Sequence, residues 1–213
     1  MNDDPDRDDP ANPFANPYAP PAASEPDPRD TGGPADSGVS RWGWVLGYAA
    51  IGLVGTACNV ALLLGLTDSP RVQAMATLLG YVGLVVGLAW LGATWGRLPD
   101  RLRRVDGDPA TGAKIIGYHF VPIYGFIWMF KAQSALCGAL DTLLVRKGDA
   151  HKAPRDLAVG ACVISLGRTF SRLLPSGAIV AFWFIQALAW TLYMIAIERT
   201  FARAGRREGD TRA

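Results

Sequence analysis

The chain has 213 residues, half of them hydrophobic and only 19% charged, with 24 Gly, 15 Pro, 7 Trp and a net charge of +2. Soluble domains carry about 25% charged residues, so this composition argues against one water-soluble globular domain. Three cysteines far apart in apolar sequence argue equally against a disulfide-stapled secreted module.

The net charge conceals a division. Residues 1–40 hold nine of the fifteen prolines and nine of the nineteen acidic residues against Arg7 and Arg29, a formal charge of −7, which leaves +9 for the rest. A nucleic-acid surface would need those cations on one continuous face. Here they fall between apolar runs, the pattern of cytoplasmic loops in a membrane protein.

Residues 1–40 read as a disordered, acidic, Pro-rich tail with almost nothing to bury. Its only aromatics, Phe14 and Tyr18, follow Asn-Pro, so the tail reads either as a solvated spacer or as a docking arm for a protein partner. The N-terminus is acidic and no apolar stretch follows within thirty residues, so no cleavable signal peptide is expected.

Residues 41–198 form the expected membrane domain. Trp42 to Leu66 is 25 residues without a formal charge, about 37 Å of helix at 1.5 Å per residue, enough to cross a hydrocarbon core of about 30 Å. Thr67-Asp68-Ser69-Pro70 turns the chain, and a second uncharged run covers 72–95. Small residues four apart, Gly43/Gly47, Ala76/Gly80, Gly83/Gly87 and Gly92/Gly96, predict close packing of these two helices as a hairpin, with a dimer interface as the competing reading.

Arg97 to Lys114 is basic, and Leu98, Leu102 and Val105 recur at helical spacing, which predicts a short amphipathic helix on anionic lipid headgroups. Residues 115–145 are ambiguous. The apolar part is short, Pro122 interrupts it, and Leu136, Leu140, Leu143 and Leu144 then mark one side of a helix. Such a segment is expected to be re-entrant or interfacial. Two further spans are expected over 157–174 and 179–197, followed by a basic tail over 199–213.

With 115–145 not crossing, four helices cross. The cytoplasmic side then holds fourteen Lys and Arg and the outer side three, whereas a crossing at 115–130 gives about seven inside and ten outside. The cation bias selects four crossings with both termini cytoplasmic, in the cell's inner membrane.

The run Gly117-Tyr118-His119-Phe120-Val121-Pro122-Ile123-Tyr124-Gly125-Phe126-Ile127-Trp128 resembles the Phe-Ile-Pro-x-x-Asn-Leu-x-Trp-like segment of a family of small, uncharacterised bacterial polytopic membrane proteins. There the segment lies between a basic loop and the last two helices. The resemblance covers about residues 42–197, implies the same helical membrane fold, and carries no activity with it. Gly125 stands where that segment has Asn.

No catalytic, cofactor or metal site is expected. Gly107 to Lys114 lacks the Gly-Lys-Ser/Thr order of a phosphate loop, and His119 and His151 have no accompanying ligands. The candidate polar positions are six. Arg168 and Arg172 lie inside a span, where each charge is costly, and either is expected to pair with Asp68 or to snorkel outward. Asn59 and Gln186 are expected to hydrogen-bond between helices, and His119 to bond at the interface. The function expected is non-enzymatic, scaffolding or regulatory, through lipid or protein contacts. The competing class is a small-solute transporter or channel built around Asn59, Gln186 and the Pro122 break.

Overall fold

An apolar run in lipid can satisfy its backbone only by bonding to itself as a helix, and the two uncharged runs do so. The computed structural model describes residues 41–170 and 176–210. Helix α1 covers Arg41–Leu63 and α2 covers Pro70–Gly96, with Pro70 in the first turn of α2, where its missing N–H costs nothing. The first run ends three residues short of Leu66. Gly65 has φ +65°, its amide bonds the Leu62 carbonyl at 3.2 Å, and the Leu66 amide bonds Ala61 at 3.0 Å, which together close the helix.

Four more helices follow: α3 (Gly112–Gly117), α4 (Tyr124–Arg146), α5 (Arg155–Phe170) and α6 (Ser176–Asp210). Three helices are long and apolar enough to cross a membrane, over Trp42–Leu63, Pro70–Gly96 and Ala178–Gly205. The fourth expected span, 157–174, is represented by the 16 residues of α5, and its last four positions fall outside the described residues, as does the expected tail over 1–40.

The glycines set the packing. Gly83 and Gly87 of α2 lie against Ile51 and Tyr48 of α1, and Gly55 lies against Leu79, so the two helices run antiparallel. A methyl group at Gly52 would sit 2.7 Å from Cβ of Ala187, and one at Gly80 would strike the Trp183 ring, which puts α6 beside both. Gly47 and Gly96 face open space. Next to these contacts on α6 lies α5, with Ser165 opposite Gln186 and Trp190. Helix α4 packs on α5 and runs parallel to α6, tied to it by Tyr193 at Gln133 and by Lys147 at the Ala204 carbonyl. The start of α1 and the end of α6 therefore share one end of the bundle.

That end holds the core. Trp90, Trp95, Leu98, Ile115, Leu136, Leu140, Tyr193 and Ile197 are all buried in one cluster. The other end presents Leu53, Leu64, Leu66, Leu78, Tyr81 and Val85 outward.

Two sequence expectations are corrected here. The stretch after α2 is no amphipathic helix: a 3-10 turn at Asp100–Leu102 leads to a two-stranded hairpin, β1 (Arg104–Val105) and β2 (Asp108–Pro109). Asp106 and Gly107 have φ +52° and +86°, the two positive values a tight hairpin turn requires. The hairpin folds Leu98 and Val105 into the core instead of onto lipid. The basic tail expected from 199 is helical to Asp210, because α6 continues unbroken past Glu198.

Glu198 is 3% exposed. Both its oxygens accept from Arg97 Nη1, at 2.8 and 2.9 Å, and Oε1 also accepts from Trp90 Nε1 at 3.2 Å. The Arg97 guanidinium stacks on Phe201, 3.9 Å from the ring centre. Removing Glu198 leaves the partly buried Arg97 charge and the Trp90 indole without their acceptor, so Glu198→Ala is expected to destabilise the chain by about 3 kcal/mol. Replacing Arg97 and Glu198 together by Met costs less; unfolding of both variants in detergent, followed by tryptophan fluorescence, measures the difference.

Candidate functional site

Between the bundle and the α3–α4 segment lies a cleft of about 760 Å³. Its walls come from Tyr48, Ile51 and Gly52 on α1, from Leu79 to Leu91 on α2, from Trp183, Gln186 and Trp190 on α6, from Ser165 on α5, and from residues 119–133. Elementary helix chemistry explains how residues 119–133 come to lie there. Helix α3 has only six residues and ends in a 3-10 turn at Tyr118–Phe120, so its last carbonyls need partners from elsewhere. The Ile115 carbonyl accepts from Trp128 Nε1 at 2.9 Å and from His119 Nδ1 at 2.8 Å. Trp128 thereby clamps α4 back onto α3, with Tyr118 and Tyr124 packed against its ring.

The bend between the two helices is tight. Ile123 has φ +62° and ψ −53°, and the Tyr124 amide bonds the Pro122 carbonyl at 2.6 Å across it. This is a γ-turn in the strained left-handed region, rare for a β-branched residue. It throws Ile123 outward, 79% exposed, beside Phe120 at 67%. Phe126 and Ile127 continue this exposed apolar tip into the first turn of α4. From Lys131 onward the outer side turns polar, and Lys131 Nζ bonds Asp106 of the hairpin turn at 2.6 Å.

The six sequence candidates separate. Gln186 and His119 line the cleft together with Pro122. Gln186 Nε2 donates to Ser165 Oγ at 3.1 Å, where Trp190 Nε1 also donates at 2.8 Å, so this amide does bridge two helices. Asn59 does not: its Nδ2 bonds the Gly55 carbonyl one turn back at 2.7 Å, and the residue is not part of the cleft. Asp68 is exposed in the α1–α2 turn; Arg172 and the side chain of Arg168 lie outside the described residues, and with them the proposed pairing.

Sequence reasoning missed Gln133. It is buried, lines the cleft, and accepts from Tyr193 Oη at 2.7 Å. Its signal was present: Gln133 occupies the same helical stripe as Leu136, Leu140 and Leu144. Burial pushes the Cys137 thiol up to about 11, which removes its nucleophilicity at neutral pH. Among the described residues no three His, Cys, Asp or Glu gather as a metal site would require. Compared with protein-family models, curated proteins and solved structures, the chain matches none.

Two outcomes test this geometry. Gly125 has no room for a side chain, since a Cβ there would lie 2.6 Å from the His119 carbonyl oxygen. Gly125→Ala, and Gly125→Asn with it, is therefore expected to cost about 1–3 kcal/mol in unfolding free energy. Burial lowers the pKa of His119 below 6.5, opposed by its bond to Ile115. A base with a lowered native pKa binds fewer protons when folded, so its stabilising effect is complete above pH 6.5 and is lost as the pH falls from there toward the native value. Unfolding midpoints measured across that window should drop for the unaltered chain and change less for His119→Gln.

Proposed function

We propose that this chain is a non-enzymatic integral membrane protein that works through lipid contacts, with the cleft as its binding site. The exposed apolar tip at Phe120, Ile123 and Ile127 carries the reading, because a large apolar patch standing free of the fold marks a membrane or ligand contact. In this arrangement α1, α2, α5 and α6 cross the inner membrane, and α3–α4 is a re-entrant hairpin entering from the cytoplasmic side. Tyr124 lies nine residues from Gln133, so the tip reaches as much as about 13 Å deeper than the Gln133–Tyr193 contact.

Both termini are cytoplasmic in this scheme, which agrees with the shared end of α1 and α6. Arg101, Arg103, Arg104, Lys114, Arg146 and Lys152 flank that end for anionic headgroups, and residues 1–40 serve as a docking arm for a protein partner. Membership of the bacterial family that the Gly117–Trp128 run resembles belongs to the same proposal. A second reading, a small-solute transporter, is favoured by the meeting of Gln186 with the Pro122 break in one cleft; Asn59 plays no part in it.

The test is accessibility in sealed vesicles. In a background with Cys58, Cys137 and Cys162 replaced by Ala, Ile123→Cys is expected to resist a membrane-impermeant maleimide from both sides until detergent is added. Lys152→Cys should react from the cytoplasmic side alone. Labelling of position 123 as fast as position 152 overturns the re-entrant reading.

A further inference from the structure

The chemistry of the cleft narrows what fills it. Gln133 is 1% exposed, and while its Oε1 accepts from Tyr193, its Nε2 has no hydrogen-bond partner. A buried donor without an acceptor is costly, so the site asks for an acceptor from outside the fold. The indoles of Trp44 and Trp95 and the hydroxyl of Thr94 also lack partners, but none of these residues lines the cleft.

No described lining residue is Lys, Arg, Asp or Glu. A carboxylate or phosphate at Gln133 would therefore lack a counter-charge in apolar surroundings, which favours a neutral acceptor. The rim includes Leu84, Phe120, Ile123 and Phe126, all exposed, so the opening faces acyl chains wherever the tip lies in the bilayer. Depth gives the last constraint. Tyr193, opposite Gln133, stands five residues along α6 from Glu198, about 7.5 Å inside the Arg97–Glu198 pair. Headgroup layers add roughly 5–8 Å to each side of the hydrocarbon core, so Gln133 sits near the boundary where ester carbonyls lie.

We infer that the cleft seats one acyl chain of a bilayer glycerolipid, its ester carbonyl accepting from Gln133 Nε2 and its methylene tail running past Gly83 and Trp183. The inference rests on the reading that the tip is embedded in lipid. A volume of about 760 Å³ falls within the roughly 300–1,000 Å³ typical of ligand sites.

The full chain is reconstituted in vesicles of phosphatidylethanolamine and phosphatidylglycerol containing a phosphatidylcholine with a diazirine midway along one acyl chain. After photolysis, adducts are mapped by mass spectrometry. Adducts are expected to concentrate in residues 119–129 and 183–190 above the level at Leu64 and Leu66. Gln133→Leu should lower the cleft adducts roughly three- to tenfold, the weight of one hydrogen bond, with Leu64 and Leu66 unchanged. An ether-linked version of the same probe, lacking the carbonyl, should show the same loss on the unaltered chain, which keeps the test valid if the variant folds poorly.

Cleft adducts insensitive to the ether linkage overturn the carbonyl contact. Adducts displaced by a carbonyl-bearing quinone but not by excess phosphatidylethanolamine overturn the glycerolipid assignment. Cleft adducts no denser than at Leu64 and Leu66 overturn the acyl seat altogether. In that last case, Ile123→Cys still shielded in the same vesicles leaves the re-entrant reading intact, whereas a reactive Ile123→Cys removes both.

Discussion

A carboxylate enclosed by helices is tolerated only with its charge answered, and Glu198 is answered twice, by Arg97 and by the Trp90 indole. All three groups sit at the same end of the bundle, two on or just beyond α2 and one on α6. The pair therefore holds these parallel helices in register while α1 runs antiparallel beside both. Around it the tryptophans, Tyr193 and the α4 leucines close into a single core. Helix α6 continues past Glu198 to Asp210.

A second constraint shapes the cleft. Helix α3 is too short to satisfy its own last carbonyls, and the Ile115 oxygen recruits Trp128 and His119. Folding α4 back within so few residues forces Ile123 into the left-handed region. The strain and the exposure have one origin, because the geometry that closes the turn also points Ile123 away from the core. The α3–α4 segment touches the bundle where Gly112 of α3 meets Gly92 of α2, two residues without side chains that let the helices approach closely. Farther along they separate, and the space between them is the cleft. Its polar groups are two amides, the Ser165 and Tyr48 hydroxyls, one imidazole and two indoles, with no Lys, Arg, Asp or Glu among the described lining residues, which suits recognition of a neutral acceptor better than transfer of charge.

Much of this was legible beforehand. The uncharged runs announced α1 and α2, Pro122 announced the break, and the leucine stripe announced the buried side of α4. Other features were carried by signals too local to outweigh a competing pattern. Asp106-Gly107 is a hairpin turn by its own chemistry, yet Leu98, Leu102 and Val105 imitate a helical period across it. Gln133 sat on a stripe whose apolar members drew the attention. Glu198, read as the end of a span, is interior because Arg97 lies beside it, a partner 101 residues distant in sequence.

Sequence alone determined which stretches must be helical and apolar, since backbone satisfaction and side-chain transfer are properties of each segment by itself. Of the small residues it marked, Gly83 and Gly87 do meet α1, whereas Gly47 and Gly96 face open space. Only the tertiary structure decided which of these glycines meets which neighbour, that Asn59 bonds its own helix while Gln186 bridges two, and that Gln133 keeps a donor without an acceptor. Those outcomes depend on distances between residues remote in the chain, and pairing across such separations is set by how whole helices pack.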